Sequence, residues 1–279
     1  MADLDQYRER SLETWDRIAD HWAAERQWLW RHTEPVSRRL AERLAAKPGD
    51  VVLDLACGTG DTGFLVARSI GPDGKVLATD FSHQMLDRAR QNGDEQGIEN
   101  VEYRVLDAER MDLPDDSVDG VVCRFGYMLM GDPVQALRET RRVLRDGGRV
   151  TFAVWAPPEE NVWAALPAGE LIQRGHIPPP EPGDPGIFAL ADPARIADSL
   201  GQAGFADHAV EQVAFDWNYE GPEQHWDLTI KLAGPLADAI EGIPEPEREE
   251  IREAVGKKIG AILEQRGSVS ALVHVVTAS

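Results

Sequence analysis

The feature that most constrains this chain is the run Val51-Val52-Leu53-Asp54-Leu55, followed at once by Ala56-Cys57-Gly58-Thr59-Gly60. A short continuous apolar run reads as a strand buried on both faces, as in a parallel sheet. Parallel neighbours need a crossover, usually a helix and almost always right-handed. The following residues fit that pattern. Phe64 to Ile70 has helical spacing, and Lys75 to Asp80 reads as a second strand. Ser82 is placed to cap a helix carrying Met85, Leu86 and Ala89 on one face. Val101 to Leu106 and Val118 to Cys123 read as the next two strands. Asp132-Pro133 opens a helix that Asp146-Gly147-Gly148 ends, and Arg149 to Trp155 is a fifth strand. Strands alternating with helices predict a doubly wound α/β sheet over residues 48–156.

The flanks read differently. Residues 1–47 form a helical cap, with a break at Pro35 between one helix through Trp15, Ile18, Ala19 and Trp22 and another through Val36, Leu40 and Leu44. Residues 157–279 hold a lid insertion and the elements that complete the sheet. Within 157–190, the proline density of Ile177 to Gly186 predicts an extended loop or lid. Asp192-Pro193 opens a helix that stops at Gly204, and Ala209 to Trp217 is a sixth strand. Helices are expected over 221–240 and 245–265, then a seventh strand from Ser268 to Thr277.

Charge limits the partners. Lysine and arginine total 29 against 49 acids, a formal net charge of −20. Such a surface repels phosphate backbones and anionic lipid, so nucleic acid is not an expected partner. No apolar run approaches the roughly 20 residues that span a bilayer. The N-terminal residues are polar rather than signal-like, so a cytoplasmic protein without stable membrane insertion is expected. Cys57 and Cys123 suggest neither a disulfide framework nor a zinc site, and no metal is expected. Oligomeric state is not legible.

Ligands of open parallel sheets bind beyond the strands' carboxyl ends, at the switch point. Gly58-Thr59-Gly60-Asp61-Thr62-Gly63 fits G-x-G-x-x-G, so a nicotinamide-dependent oxidoreductase is one reading. That turn would have to receive a pyrophosphate, yet Asp54 and Asp61 flank it with negative charge. S-adenosylmethionine has no phosphate and carries an ammonium and a sulfonium, which a carboxylate attracts. Asp80 ends the second strand, 20 residues after Gly60, where a carboxylate can accept from ribose hydroxyls. Asp107 follows the third strand, where it can meet an adenine amino group.

With these motifs in view the chain resembles class I S-adenosylmethionine-dependent methyltransferases. It is most similar to the branch of ubiquinone/menaquinone-biosynthesis and small-molecule enzymes. The resemblance rests on Val51 to Gly60, Asp80-Phe81-Ser82-His83-Gln84-Met85-Leu86, Asp107-Ala108-Glu109, Met111-Asp112-Leu113-Pro114 and Leu144-Arg145-Asp146-Gly147-Gly148-Arg149-Val150. It covers residues 48–156, and the flanks match loosely. It implies a Rossmann-like sheet of seven strands, mostly parallel, with the last antiparallel. It also implies that Asp54 and the backbone of Ala56, Cys57, Gly58, Thr59 and Gly60 hold the methionine moiety. Asp80 would hold the ribose, Phe81 and Met85 would flank the adenine, Asp107 and Ala108 would meet its amino edge, and Arg124 would lie under the methionine part.

Methyl transfer is a displacement at an already activated carbon, so alignment and exclusion of water matter most. A phenol or amine acceptor would gain from a base, for which His21, His176 and His225 are weak candidates, since each reads more readily as a surface or structural histidine. The expected acceptor is a small quinone-like or natural-product-like molecule, methylated at O, C or N. Trp15, Trp22, Tyr127, Met128, Trp155 and His176 are candidates to line its pocket, and core packing is the competing reading for the tryptophans. A non-catalytic binder of the same cofactor is the other alternative.

Overall fold

The computed structural model describes residues 4–181 and 183–279, so Pro182 of the proline-rich run lies outside the described residues. The strands are β1 (Val51–Leu55), β2 (Lys75–Asp80), β3 (Val101–Val105), β4 (Val118–Arg124), β5 (Leu144–Trp155), β6 (His208–Trp217) and β7 (Val269–Ala278). They form one sheet in the order β3-β2-β1-β4-β5-β7-β6. β1 is parallel to β2 and β4, and β2–β3 and β4–β5 are parallel too. β7 runs antiparallel to both of its neighbours, so the last strand is reversed as expected. β6 therefore points the same way as β5, and its end at Trp217 lies on the same sheet edge as the ends of β1 and β4.

The helices are α1 (Leu4–Ala24), α2 (Arg26–Leu44), α3 (Asp61–Ile70), α4 (His83–Glu95), α5 (Pro133–Val143), α6 (Val162–Gln173), α7 (Pro193–Ala203), α8 (Pro222–Leu232), α9 (Gly234–Glu241) and α10 (Glu245–Arg266). Right-handed crossovers from β1 toward β3 and from β4 toward β5 put α3 and α5 on opposite faces. The core between these layers includes Val52, Leu53, Val121, Val122, Phe152 and Val154, all buried. The expected caps form. Ser82 Oγ accepts from Met85 N at 3.1 Å, and Asp132 Oδ1 accepts from Gln135 N at 2.9 Å. No helix among the described residues is long and apolar enough to cross a membrane.

Four expectations need correction. Pro35 does not break a helix. α2 runs through it, and the chain turns at Glu25 instead. An interior proline costs about 3 kcal/mol. Val36, Leu40 and Leu44 are buried on the same helix, at about 1.5–3 kcal/mol each, which outweighs that cost. The segment 157–190 is not all loop, because α6 forms within it around Pro167, with Ala164 and Leu171 buried. The expected helix over 221–240 divides at Ala233, where Pro235 has no N–H to donate and Gly234 takes φ +27°. Finally, β5 begins at Leu144, which pairs with Val118, before a bulge whose Gly147 has φ +79°.

Candidate functional site

β1 and β4 are neighbours whose connections leave in opposite directions, which opens a crevice at their carboxyl ends. Immediately after each strand the chain turns through a left-handed residue, Ala56 (φ 52°) and Phe125 (φ 66°). For an aromatic residue this backbone state is rare and strained, and such strain gathers at functional sites.

Asp54 is 1 % exposed, and among the described residues its Oδ2 has no hydrogen-bond partner. Burial pushes its carboxyl up to about 8, against the opposing charge of Arg124. An orphaned buried carboxyl oxygen calls for a cationic or donor ligand, and the ammonium of S-adenosylmethionine meets that need. Asp80 ends β2. Its Oδ2 accepts from Gly58 N at 3.0 Å and its Oδ1 from Ser82 N at 3.0 Å, while lone pairs remain for hydroxyl donors. Burial raises Asp80 to about 6. Asp107 is exposed; its Oδ1 accepts from Glu109 N at 2.8 Å, leaving Oδ2 open. These three acids fit the amine, ribose and adenine of that cofactor. Asp61 is already committed, to Arg26 at 2.9 Å and Thr59 Oγ1 at 3.0 Å.

Arg124 reaches the other way. It donates to Thr33 Oγ1 at 2.7 Å and Ser37 Oγ at 3.3 Å of α2, and burial lowers its pKa. Cys57 and Cys123 are both buried with their thiols pushed up, Cys123 to about 12, so neither is a ready thiolate.

α1 roofs this crevice through contacts that the sequence reading of a helical cap did not name. Tyr7 Oη donates to Leu129 O at 2.7 Å, and Arg8 pairs with the buried Glu109. Ser82 Oγ donates to Asp16 at 2.5 Å, and Ile18 and Ala19 pack on Met85. These contacts join residues 66 to 122 positions apart, and no local signal encodes them.

Beyond Phe125 lies a buried cluster of aromatic rings packed on one another. Phe125 stacks on Trp155 at 4.3 Å, and Trp163 meets Trp155 edge-on at 4.8 Å. Trp28 of α2 stacks on Trp217 at 5.0 Å and on Tyr219 at 5.5 Å. His225 stands edge-on to Tyr219 at 5.1 Å. Pro167 has no N–H for the carbonyl of Trp163, four residues back in α6. His225 Nε2 takes that carbonyl at 2.7 Å. A carbonyl only accepts, so Nε2 carries the proton and, in the neutral ring, Nδ1 is a bare acceptor. Burial lowers the pKa of His225 and keeps it neutral. Its Nδ1 and Trp217 Nε1 are buried without a hydrogen-bond partner among the described residues.

Of the expected acceptor residues, Trp155 lies in this cluster, and of the histidines, His225. The others lie elsewhere. Tyr127 is wholly buried, with its hydroxyl 2.5 Å from Thr140 Oγ1, and Met128 is buried in the core. Trp15 and Trp22 belong to α1 itself and pack against the cluster of Ile18, Ala19 and Met85. His176 meets Glu247 of α10 at 3.0 Å, and His21 is exposed on α1.

Comparison with known proteins agrees with the crevice. The profile of the ubiE/COQ5 methyltransferase family matches residues 12–162. An arsenite methyltransferase of Halobacterium salinarum is 38% identical over 74% of this chain, which spans 49% of that protein. A demethylmenaquinone methyltransferase of Deinococcus radiodurans is 32% identical over 59% of this chain and 71% of its own length. The chain thus spans about half the length of the first of these relatives. In fold, the YcgJ protein of Bacillus subtilis superposes with a TM-score of 0.58 at 17% identity, covering 88% of this chain and 98% of its own. The match over more than half of the residues, together with the acids at the three strand ends, decides the matter: the chain belongs to the ubiE/COQ5 methyltransferase family.

Proposed function

We propose that this protein transfers a methyl group from S-adenosylmethionine to a small, flat, largely apolar organic acceptor held in a chamber that the aromatic cluster would form by parting its rings. The adjacency of Arg124 and Phe125 carries the reading. Arg124 feels the charge of Asp54 and Asp61 of the crevice while bonding to α2, and Phe125 belongs to an uncharged aromatic wall, so a cationic cofactor end and an apolar acceptor would meet at one strand end.

Asp54 and the backbone from Ala56 to Gly60 would hold the methionine part. Asp80 would hold the ribose, and Asp107 with Ala108 the adenine edge, with Phe81 and Met85 beside it. When bound, S-adenosylmethionine supplies an electrophilic methyl carbon on positive sulfur. The chain's own residues then orient the acceptor and exclude water. Trp217 Nε1 can donate to an acceptor oxygen, and His225 Nδ1 can take the proton of an acceptor hydroxyl.

The acceptor is organic in this reading. Arsenite is the substrate named for the Halobacterium relative. A soft metalloid centre favours several thiolates, and this chain offers two buried, protonated thiols. The net charge of −20 disfavours nucleic acid.

The test is methyl transfer from labelled S-adenosylmethionine to hydroxylated naphthalenes and quinols, beside arsenite and bulk RNA. Label in an aromatic product supports the proposal. Label in arsenite or RNA alone refutes it.

A further inference from the structure

A second concavity, of about 430 Å³, lies on the outer face of α2, α3 and the end of α4. Arg26, Trp30, Arg31, Arg68 and Gln96 line it, with Gln27 and two acids, Asp61 and Glu34. Three guanidiniums around one hollow are unexpected in a chain of net charge −20.

Both acids are already engaged. Asp61 holds Arg26 at 2.9 Å and Thr59 Oγ1 at 3.0 Å, and Glu34 holds Arg38 at 2.6 Å. Two of the cations have no carboxylate. Among the described residues Arg31 has no ion-pair partner, and Arg68 donates to the neutral Gln96 Oε1 at 2.8 Å. That bond fixes the Gln96 amide, so its Nε2 is a donor, and Nε2 is buried with no partner. Apart from Glu34 Oε2, whose carboxylate is already ion-paired to Arg38, what remains unsatisfied in this hollow donates hydrogen bonds or carries positive charge. A cation would find no free carboxylate there.

We propose that this hollow is a binding site for a small phosphate-bearing ligand. The Arg31 and Arg68 guanidiniums would hold the phosphate, Gln96 Nε2 would donate to it, and Trp30 would offer a face to an attached organic group. Two unneutralised guanidiniums match a doubly charged oxyanion better than a carboxylate, and the planar fork suits phosphate oxygens. The site is distinct from the methyl-transfer crevice, although Asp61 belongs to its wall and also contacts Thr59 of the cofactor turn. The inference does not rest on the methyltransferase reading.

The test is a calorimetric titration of the full chain with inorganic phosphate at low ionic strength, with acetate in parallel. Saturable phosphate binding is expected, with acetate at least tenfold weaker. Arg31→Gln and Arg68→Gln should each weaken phosphate at least tenfold. Arg252→Gln, at an ion pair on α10, should leave it unchanged. All three positions are surface side chains, and a matching thermal melt checks folding. No saturable binding, equal binding of acetate, or wild-type affinity in both pocket variants would overturn the proposal. Competitive displacement of phosphate by S-adenosylhomocysteine would make the hollow a lobe of the cofactor crevice and overturn the separate site.

Discussion

The Asp54 carboxyl of β1 lies directly against Gly63 of α3, so closely that a β-carbon at position 63 would collide with Oδ2. Gly63 has ordinary helical geometry, so the requirement is for space and not for an unusual φ. Gly63→Ala is expected to push Asp54 out of place or separate α3 from β1. The cost should be about 1–3 kcal/mol, as for other overpacked interiors. Chemical denaturation should show that loss, with cofactor affinity reduced at least tenfold.

The buried acids set a pH dependence. In the fold Asp54 titrates at about 8 and Asp80 at about 6, each raised mainly by burial above an ordinary 3.8. Raised acids favour the fold in their neutral forms. Their contribution is fully present below about pH 4 and is lost as pH rises, through about 6 for Asp80 and about 8 for Asp54. Without cofactor, Asp54→Asn should therefore melt above the wild type at pH 8.5 and near it at pH 4. A shift of some 2–4 °C per kcal/mol suits a chain of this size. The same variant should bind the cofactor poorly. Equal melting temperatures at both pH values would contradict the burial argument.

Asp80→Ala tests the ribose assignment. It should weaken S-adenosylmethionine binding at least tenfold, because Gly58 N and Ser82 N also lose their acceptor. A folded variant with unchanged affinity would remove Asp80 from the site.

The roof formed by α1 should control access. Tyr7→Phe removes the bond to Leu129 O, and Arg8→Ala unpairs the buried Glu109. Both variants should speed cofactor association and dissociation in stopped-flow fluorescence more than they change the equilibrium constant. Unchanged rates would mean that α1 is a fixed wall.

His225→Ala should lower kcat for a hydroxyl acceptor by about 10²–10⁴-fold, the usual worth of a general base. It should leave cofactor affinity intact. Trp217→Phe should raise KM more than it lowers kcat, since it removes one donor and keeps the ring. Loss of cofactor binding in either folded variant would detach the cluster from the acceptor.

These sites were unequally legible in the sequence. Strand ends and acids at Asp54, Asp80 and Asp107 could be read because a parallel strand, its turn and its acid are contiguous. The aromatic cluster could not. Trp28, Phe125, Trp155, Trp163, Trp217 and Tyr219 come from five separate stretches, and only the β7 reversal brings Trp217 to the edge that holds Phe125. Tyr127 read as a pocket residue because it follows β4. The left-handed turn at Phe125 directs Phe125 to the cluster and Tyr127 toward Phe152 and Thr140. The prolines misled in the opposite sense. Pro35 read as a helix break and residues 157–190 as loop, but burial of their neighbours keeps α2 and α6, and the carbonyl that Pro167 frees within α6 holds His225.

The most direct measurement is a calorimetric titration of the purified protein with S-adenosylmethionine, S-adenosylhomocysteine and NAD in parallel. Micromolar binding of the first two and none of NAD is expected, with the S-adenosylmethionine signal lost in Asp54→Asn. Binding of NAD, or full affinity for S-adenosylmethionine in that variant, would contradict the cofactor assignment.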